Sequence, residues 1–180
     1  SSRSSLFNRS EAGIAFVLFG HNSSYSFLNI NLNDWISSKE LGFRVIGTAA
    51  GDSLGYSICG GVDINADGVS DLLIGAPNAG PFGRNNAGTV NIIFGHSAIW
   101  EDFDTASISP DRGFQIYGAA AGDYFGLSAA LSNDINGDEI GEVILSGPYA
   151  SAFGRVYAGN VVVIYGRMQS PTTSPTHLPT

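Results

Sequence analysis

The apolar stretches of this chain are short, and each is bounded by Gly, Asn, Asp or Pro. Residues 43 to 46, 54 to 59, 72 to 75 and 89 to 94 form one set of four, with β-branched and aromatic residues where a pleated surface favours them. This spacing predicts four short antiparallel strands joined by turns. The helical candidates are weak: Leu32 to Glu40 and Ala98 to Asp104 each suit at most a short turn.

The set is written more than once. An offset of 71 residues carries Phe43-Arg44-Val45-Ile46-Gly47 onto Phe114-Gln115-Ile116-Tyr117-Gly118, and Ala50-Gly51-Asp52 onto Ala121-Gly122-Asp123. The correspondence continues through Pro77 and Pro148 to Phe94-Gly95 and Tyr165-Gly166. Near the start, Arg9 to Gly13 followed by Ile14 to Gly20 resembles Arg84 to Gly88 followed by Thr89 to Gly95, the tail of a unit without its front. A period of this size predicts a repeat architecture. The expected organisation is a strand of an incomplete unit (1–20), a first repeat (21–95), a second repeat (96–166) and a tail (167–180).

Composition agrees with many strands and glycine turns: 24 Gly, 11% aromatic and only 13% charged residues in 180. A net charge of -8 lacks the basic surface that nucleic-acid binding requires, and makes cations the more natural partners. No apolar run approaches the roughly 20 residues of a membrane-spanning helix, so membrane insertion is not expected. Cys59 is the only cysteine, so an internal disulfide is impossible and rigidity needs another source. Ser1 in place of Met reads as a processed or trimmed chain.

Seven of the sixteen acidic residues fall in two stretches, DINADGVSD at 63–71 and DINGDEIGE at 134–142. A hard cation such as Ca²⁺ takes six to eight oxygen ligands, which a tight loop supplies by turning alternate side chains inward. Asp63, Asn65, Asp67 and Asp71 stand at positions 1, 3, 5 and 9 of such a loop, with the Val69 carbonyl at position 7. Asp134, Asn136, Asp138 and Glu142 repeat the set, with Ile140 offering the carbonyl. An EF-hand needs an acid at position 12, but Ile74 and Leu145 stand there, in strand-like runs. Asp, Asn and Gly are also ordinary turn residues; their recurrence in register is what favours two Ca²⁺ sites.

These loops, each followed by an apolar run and Gly-Ala-Pro (75–77) or Ser-Gly-Pro (146–148), resemble the FG-GAP repeat, the blade of integrin α-subunit β-propellers. Phe43 to Gly47, Gly51-Asp52 with Gly55, Phe114 to Gly118 and Gly122-Asp123 with Phe125-Gly126 carry the rest of the likeness, which covers roughly residues 9–166. The second copy departs from it at Glu139, where Gly is usual. The resemblance implies an all-β fold: two consecutive four-stranded antiparallel propeller-type blades, plus an N-terminal strand from an incomplete blade. It also implies an extracellular or cell-surface protein.

Other signals are weaker. Gly55-Tyr56-Ser57 and Gly126-Leu127-Ser128 hint at a nucleophile elbow, but Cys59 and Ala130 replace its closing glycine, and His21, His96 and His177 share no spacing with them. An enzyme is therefore not expected. Cys59 aligns with Ala130, which suits a small buried side chain better than a reactive thiol. Asn8 and Asn22 begin glycosylation sequons, meaningful if the chain is secreted by a eukaryote. After Gly166 the Ser/Thr/Pro-rich tail reads as an O-glycosylated stalk, with Thr172, Thr173, Ser174 and Thr176 as acceptors, or as an unmodified disordered end.

In the resembled family a propeller closes with about seven blades, so two blades leave open edges and apolar sides. The sequence reading favours an extracellular calcium-binding structural module that assembles head to tail, as a homo-oligomer, filament or surface layer. The alternative is a ligand-binding adhesion module, a fragment of an integrin-like propeller.

Overall fold

A computed structural model describes residues 9–20, 29–32, 35, 41–97 and 100–168. Ten strands lie in these segments: β1 (Ile14–Leu18), β2 (Gly42–Ile46), β3 (Ser57–Val62), β4 (Asp71–Ala76), β5 (Thr89–Ile93), β6 (Phe103–Asp104), β7 (Gly113–Tyr117), β8 (Ser128–Ser132), β9 (Glu142–Gly147) and β10 (Asn160–Tyr165). They form three sheets with the orders β1-β2-β6, β3-β4-β5-β7 and β8-β9-β10. All neighbours are antiparallel except β2 and β6, which pair in parallel over two residues. The fold is all-β, built from propeller-like blades that do not close into a ring.

The sheets and the sequence repeats are out of phase. By sequence β7 opens the second repeat, yet it pairs with β5 of the first, Thr89 opposite Tyr117 and Ile93 opposite Gly113. The same register joins β1 to β2, with Ile14 opposite Ile46 and Leu18 opposite Gly42. Each repeat thus contributes its first strand to the blade before it. One described blade has four strands. The blade β8-β9-β10 has three, and β10 carries no strand on its outer edge among the described residues.

The helical expectations have different outcomes. Of the later helical candidate, residues 98–99 lie outside the described residues, 100–102 have no regular structure and 103–104 form β6, so its described part is corrected to extended chain; a short 3-10 turn capped by the Asp104 carboxylate follows at 105–107. Asp104 accepts the Ala106 N–H there, and Asp102 receives the Arg44 backbone N–H and guanidinium, which holds this stretch extended against β2. The segment Leu32 to Glu40 lies mostly outside the described residues. Residues 54–56 form a turn, and β3 begins only at Ser57.

Alternation along β4 and β5 explains how the blades stack. Ile74 and Ile93 face the first sheet, packing with Ala15, Phe43, Val45 and Leu54. Leu73, Val90 and Ile92 face the third, packing with Ile64, Phe125, Val143 and Leu145. Side chains in a strand alternate between faces, so a sheet covered on both sides favours apolar residues at successive positions, as at Leu72 to Ile74 and Ile92-Ile93; the buried Asn91 between them is satisfied by the Ile74 carbonyl and the Gln115 amide. Burying such residues contributes about 1.5–3 kcal/mol each. The blades approach closely at Gly75, where any Cβ would stand 2.2 Å from the Gly126 carbonyl oxygen.

Candidate metal centre

Both acidic loops are the hairpin connections of their blades, β3 to β4 and β8 to β9, so they lie at the same end of adjacent sheets. A bulge between Gly60 and Val62 precedes the first loop and breaks the ladder just before Asp63.

In the first loop, the Asp63 carboxylate accepts the backbone N–H groups of Asn65, Ala66 and Asp67 at Oδ1 and of Gly68 at Oδ2. Asp67 receives Val69 N–H at one oxygen and the Asn65 amide at the other. Asp71 is buried and capped twice: Oδ2 accepts Ile64 N–H and Oδ1 accepts Gly95 N–H, both at 2.8 Å. Burial pushes its carboxyl above the usual range, opposed by these two N–H bonds and reinforced by the charges of Asp67 and Asp63.

The second loop repeats the first at three of its four side-chain positions. Asp134 accepts Gly137 and Asp138 N–H at Oδ1 and Glu139 N–H at Oδ2; Asp138 receives Ile140 N–H and the Asn136 amide. The N–H bonds from Glu139 and Gly137 hold the Asp134 carboxyl below its usual range. Glu139 occupies the left-handed region, φ 69°, where the first loop has Gly68 at 86°. The difference lies at position 9. Glu142 is fully buried; its Oε2 accepts Ile135 N–H at 2.7 Å, while Oε1 has no hydrogen-bond partner.

One carboxylate oxygen from each of Asp134, Asp138 and Glu142 lies within 4.8 Å of the others, and among the described residues no other three acids approach so closely. An unpartnered buried carboxylate oxygen beside two further carboxylates is a donor set that fits a hard divalent cation. Val69 and Ile140 are placed by their N–H bonds to Asp67 and Asp138. The loops also touch, since Gly141 N–H donates to the Asp63 carbonyl at 3.1 Å, and the chain after β10 joins the first loop through Arg167 N–H to the Ile64 carbonyl at 3.0 Å.

The opposite end carries aromatic residues. The β4–β5 and β9–β10 connections project Phe82, 77% exposed, and Phe153, 95% exposed, from equivalent places 71 residues apart. Tyr117 packs edge-on to Phe82, and Tyr149 lies between Tyr124 and Tyr157 with centroids 5.5 and 6.5 Å away. Sequence reasoning did not single out this rim; the recurrence of Phe82 at Phe153 was the available signal.

The remaining candidates take structural places. Ser57 donates its hydroxyl to the Gly126 carbonyl at 2.9 Å, tying the middle blade to the third. The half-buried Cys59 thiol accepts Leu131 N–H across the same junction. His96 stacks on Trp100 beside Arg112, and burial followed by the Arg112 charge lowers its pKa. Asp52 and Asp123, the buried carboxylates of the two Gly-Asp steps, cap Ala49 and Ala120 N–H in equivalent turns. Asn8, Asn22, His21, His177, Thr172, Thr173, Ser174 and Thr176 lie outside the described residues. Among the described residues, no helix is long and apolar enough to cross a membrane.

Sheets of three and four strands stacked face to face, with an acidic hairpin loop recurring at one end, define a repeat protein of propeller-type blades. Residues 54–92, from the turn before β3 through most of β5, match the FG-GAP repeat. The chain thus carries an FG-GAP repeat. It is 30% identical to integrin alpha-PS2 of Drosophila melanogaster over 140 residues, 76% of this chain and 9% of that protein. It is 28% identical to integrin alpha-6 of Gallus gallus over 158 residues, 88% of this chain and 13% of that protein. Similarity extends to phosphatidylinositol-glycan-specific phospholipase D of Rattus norvegicus, 33% over 116 residues, 62% of this chain and 13% of that protein. The chain thus spans about a tenth of the length of these relatives.

Proposed function

We propose that the chain is an extracellular adhesion module of the integrin type, stabilised by Ca²⁺ in its two acidic loops and binding a ligand with its opposite end. The observation that carries this reading is the separation of the two ends. The acidic end is inward-turned and hydrogen-bonded to its own backbone, while the aromatic end leaves Phe82, Phe153 and Tyr157 exposed. Large aromatic side chains clustered on a surface are characteristic of interaction sites, because they offer much contact area for little lost conformational entropy. The integrin relatives support a cell-surface setting. The test is binding of the purified chain to a panel of immobilised matrix proteins and extracellular glycans. Phe82→Ala with Phe153→Ala is expected to lower binding at least about tenfold; equal binding by the variant contradicts the assignment of that end.

The open edge of β10 favours a second reading, head-to-tail self-assembly. Val161, Val163 and Tyr165 are exposed along it, next to a groove of about 850 Å³ lined by Phe94, Phe114 and Val143. In the middle blade the corresponding edge is covered by β7. A partner strand seated on β10 would cover the third blade in the same way and, repeated, build a filament. Glycans on Asn8, Asn22 or the Ser/Thr-rich tail would suit the same extracellular setting.

A further inference from the structure

The two acidic loops differ in one residue's reach. Asp63 and Asp134, Asn65 and Asn136, and Asp67 and Asp138 make matching bonds, although Asn65 is buried where Asn136 is exposed, so the carboxylates differ in their hydrogen-bond partners chiefly at position 9. At position 9 Asp71 has both oxygens engaged, by Ile64 N–H and by Gly95 N–H. Glu142 keeps only the first of these bonds, to Ile135 N–H, and its additional methylene leaves Oε1 buried and unpartnered among the loop acids. Gly166 is the counterpart of Gly95 in the repeat.

We infer that the loops fill in order: a divalent cation enters 134–142 first, and Glu142 is the residue that sets this order. This rests on the reading that both loops hold cations. A buried charged oxygen without a partner carries a desolvation cost that a cation removes on arrival, so binding at 134–142 recovers free energy already spent in folding the apo loop. At 63–71 that cost has been met by two backbone donors. A cation there must share the Asp71 oxygens with N–H groups pointing at the same lone pairs, or displace them and leave Ile64 and Gly95 N–H unsatisfied. The carboxylate that completes the second site therefore serves first as a cap in the first site.

The test is a Ca²⁺ titration of the whole chain followed by calorimetry and by residue-resolved amide shifts. Two phases are expected, with affinities separated by about tenfold or more. The Gly137 and Glu139 amides should shift in the tighter phase, and those of Gly68 and Val69 in the weaker one. Glu142→Gln keeps size and an acceptor for Ile135 N–H while removing the charge; it should abolish the tighter phase and leave the weaker. Asp71→Asn should do the reverse. The inference is overturned if the 63–71 amides shift first, if all four shift together, or if Glu142→Gln retains the tighter phase. Should Glu142→Gln fail to fold, the order of shifts in the unsubstituted chain decides alone. Absence of any heat or shift removes the cation reading itself, and the order with it.

Discussion

Gly118 and Gly51 belong to the same kind of repeat turn, yet they are glycine for different reasons. A Cβ at Gly118 would stand 1.9 Å from the Ala87 carbonyl oxygen, whereas at Gly51 it would meet nothing within 4 Å, and only φ +86° opposes it. Gly118→Ala should therefore cost about 3 kcal/mol, because backbone has to move, and Gly51→Ala about 1 kcal/mol of conformational strain. Urea unfolding of the two variants gives the comparison. Asp104 offers a pH-dependent test at the same scale. Burial acts to raise its pKa, but the hydrogen bond and charge of Arg9 and the Ala106 N–H outweigh it, so the folded value lies below the ordinary one. Its contribution is fully present above about pH 4 and is lost as pH falls through the depressed value. Asp104→Asn should cost about 1 kcal/mol at pH 7 and progressively less as pH falls below about 4, read from denaturant midpoints. The acidic positions were legible in sequence because alternate ligands in a loop leave a spacing. The inequality of Asp71 and Glu142 was not, since it depends on which backbone N–H each carboxylate meets.

Strands were legible as elements; their partners were not. Gly, Asn and Pro mark the ends of β4, β5, β9 and β10 within a residue or two, because the turns between antiparallel strands need those residues. A repeat read from sequence begins wherever the similarity begins, and nothing in Phe43 to Gly47 or Phe114 to Gly118 announces that the strand pairs backward. That choice is made by packing: β7 covers β5, which is buried at every residue and would otherwise be an apolar edge. The two-residue parallel β6 was equally hidden, held by the Arg44–Asp102 and Arg9–Asp104 pairs rather than by any pattern of its own. Two substitutions in the third blade test its layering. Leu145, fully buried in the shared core, should cost about 2–5 kcal/mol as Leu145→Ala, and Val161, 67% exposed on β10, less than about 0.5 kcal/mol as Val161→Ala. Equal losses would mean that the outward face of β10 is covered in solution.

The described residues form a stack of blades sharing two cores, with acids at one end, aromatic residues at the other and, among these residues, no strand on the outer edge of β10. Its sides are thus chemically distinct. If β10 recruits a second copy, light scattering at micromolar concentration should show mass rising with concentration, and Val163→Lys should return the chain to a monomer, because a charge on an edge strand opposes pairing. A monodisperse monomer across that range would leave the adhesion reading alone. The account depends most on the acidic end being a cation-binding end, because bound cations would link β3 to β4 and β8 to β9 where neither a disulfide nor an added strand does so. Thermal unfolding in saturating Ca²⁺ and again after chelation measures this directly. The melting temperature should be about 5–10 °C higher with Ca²⁺, and Asp67→Ala with Asp138→Ala should erase the difference. Identical melting of the unsubstituted chain under both conditions would contradict it.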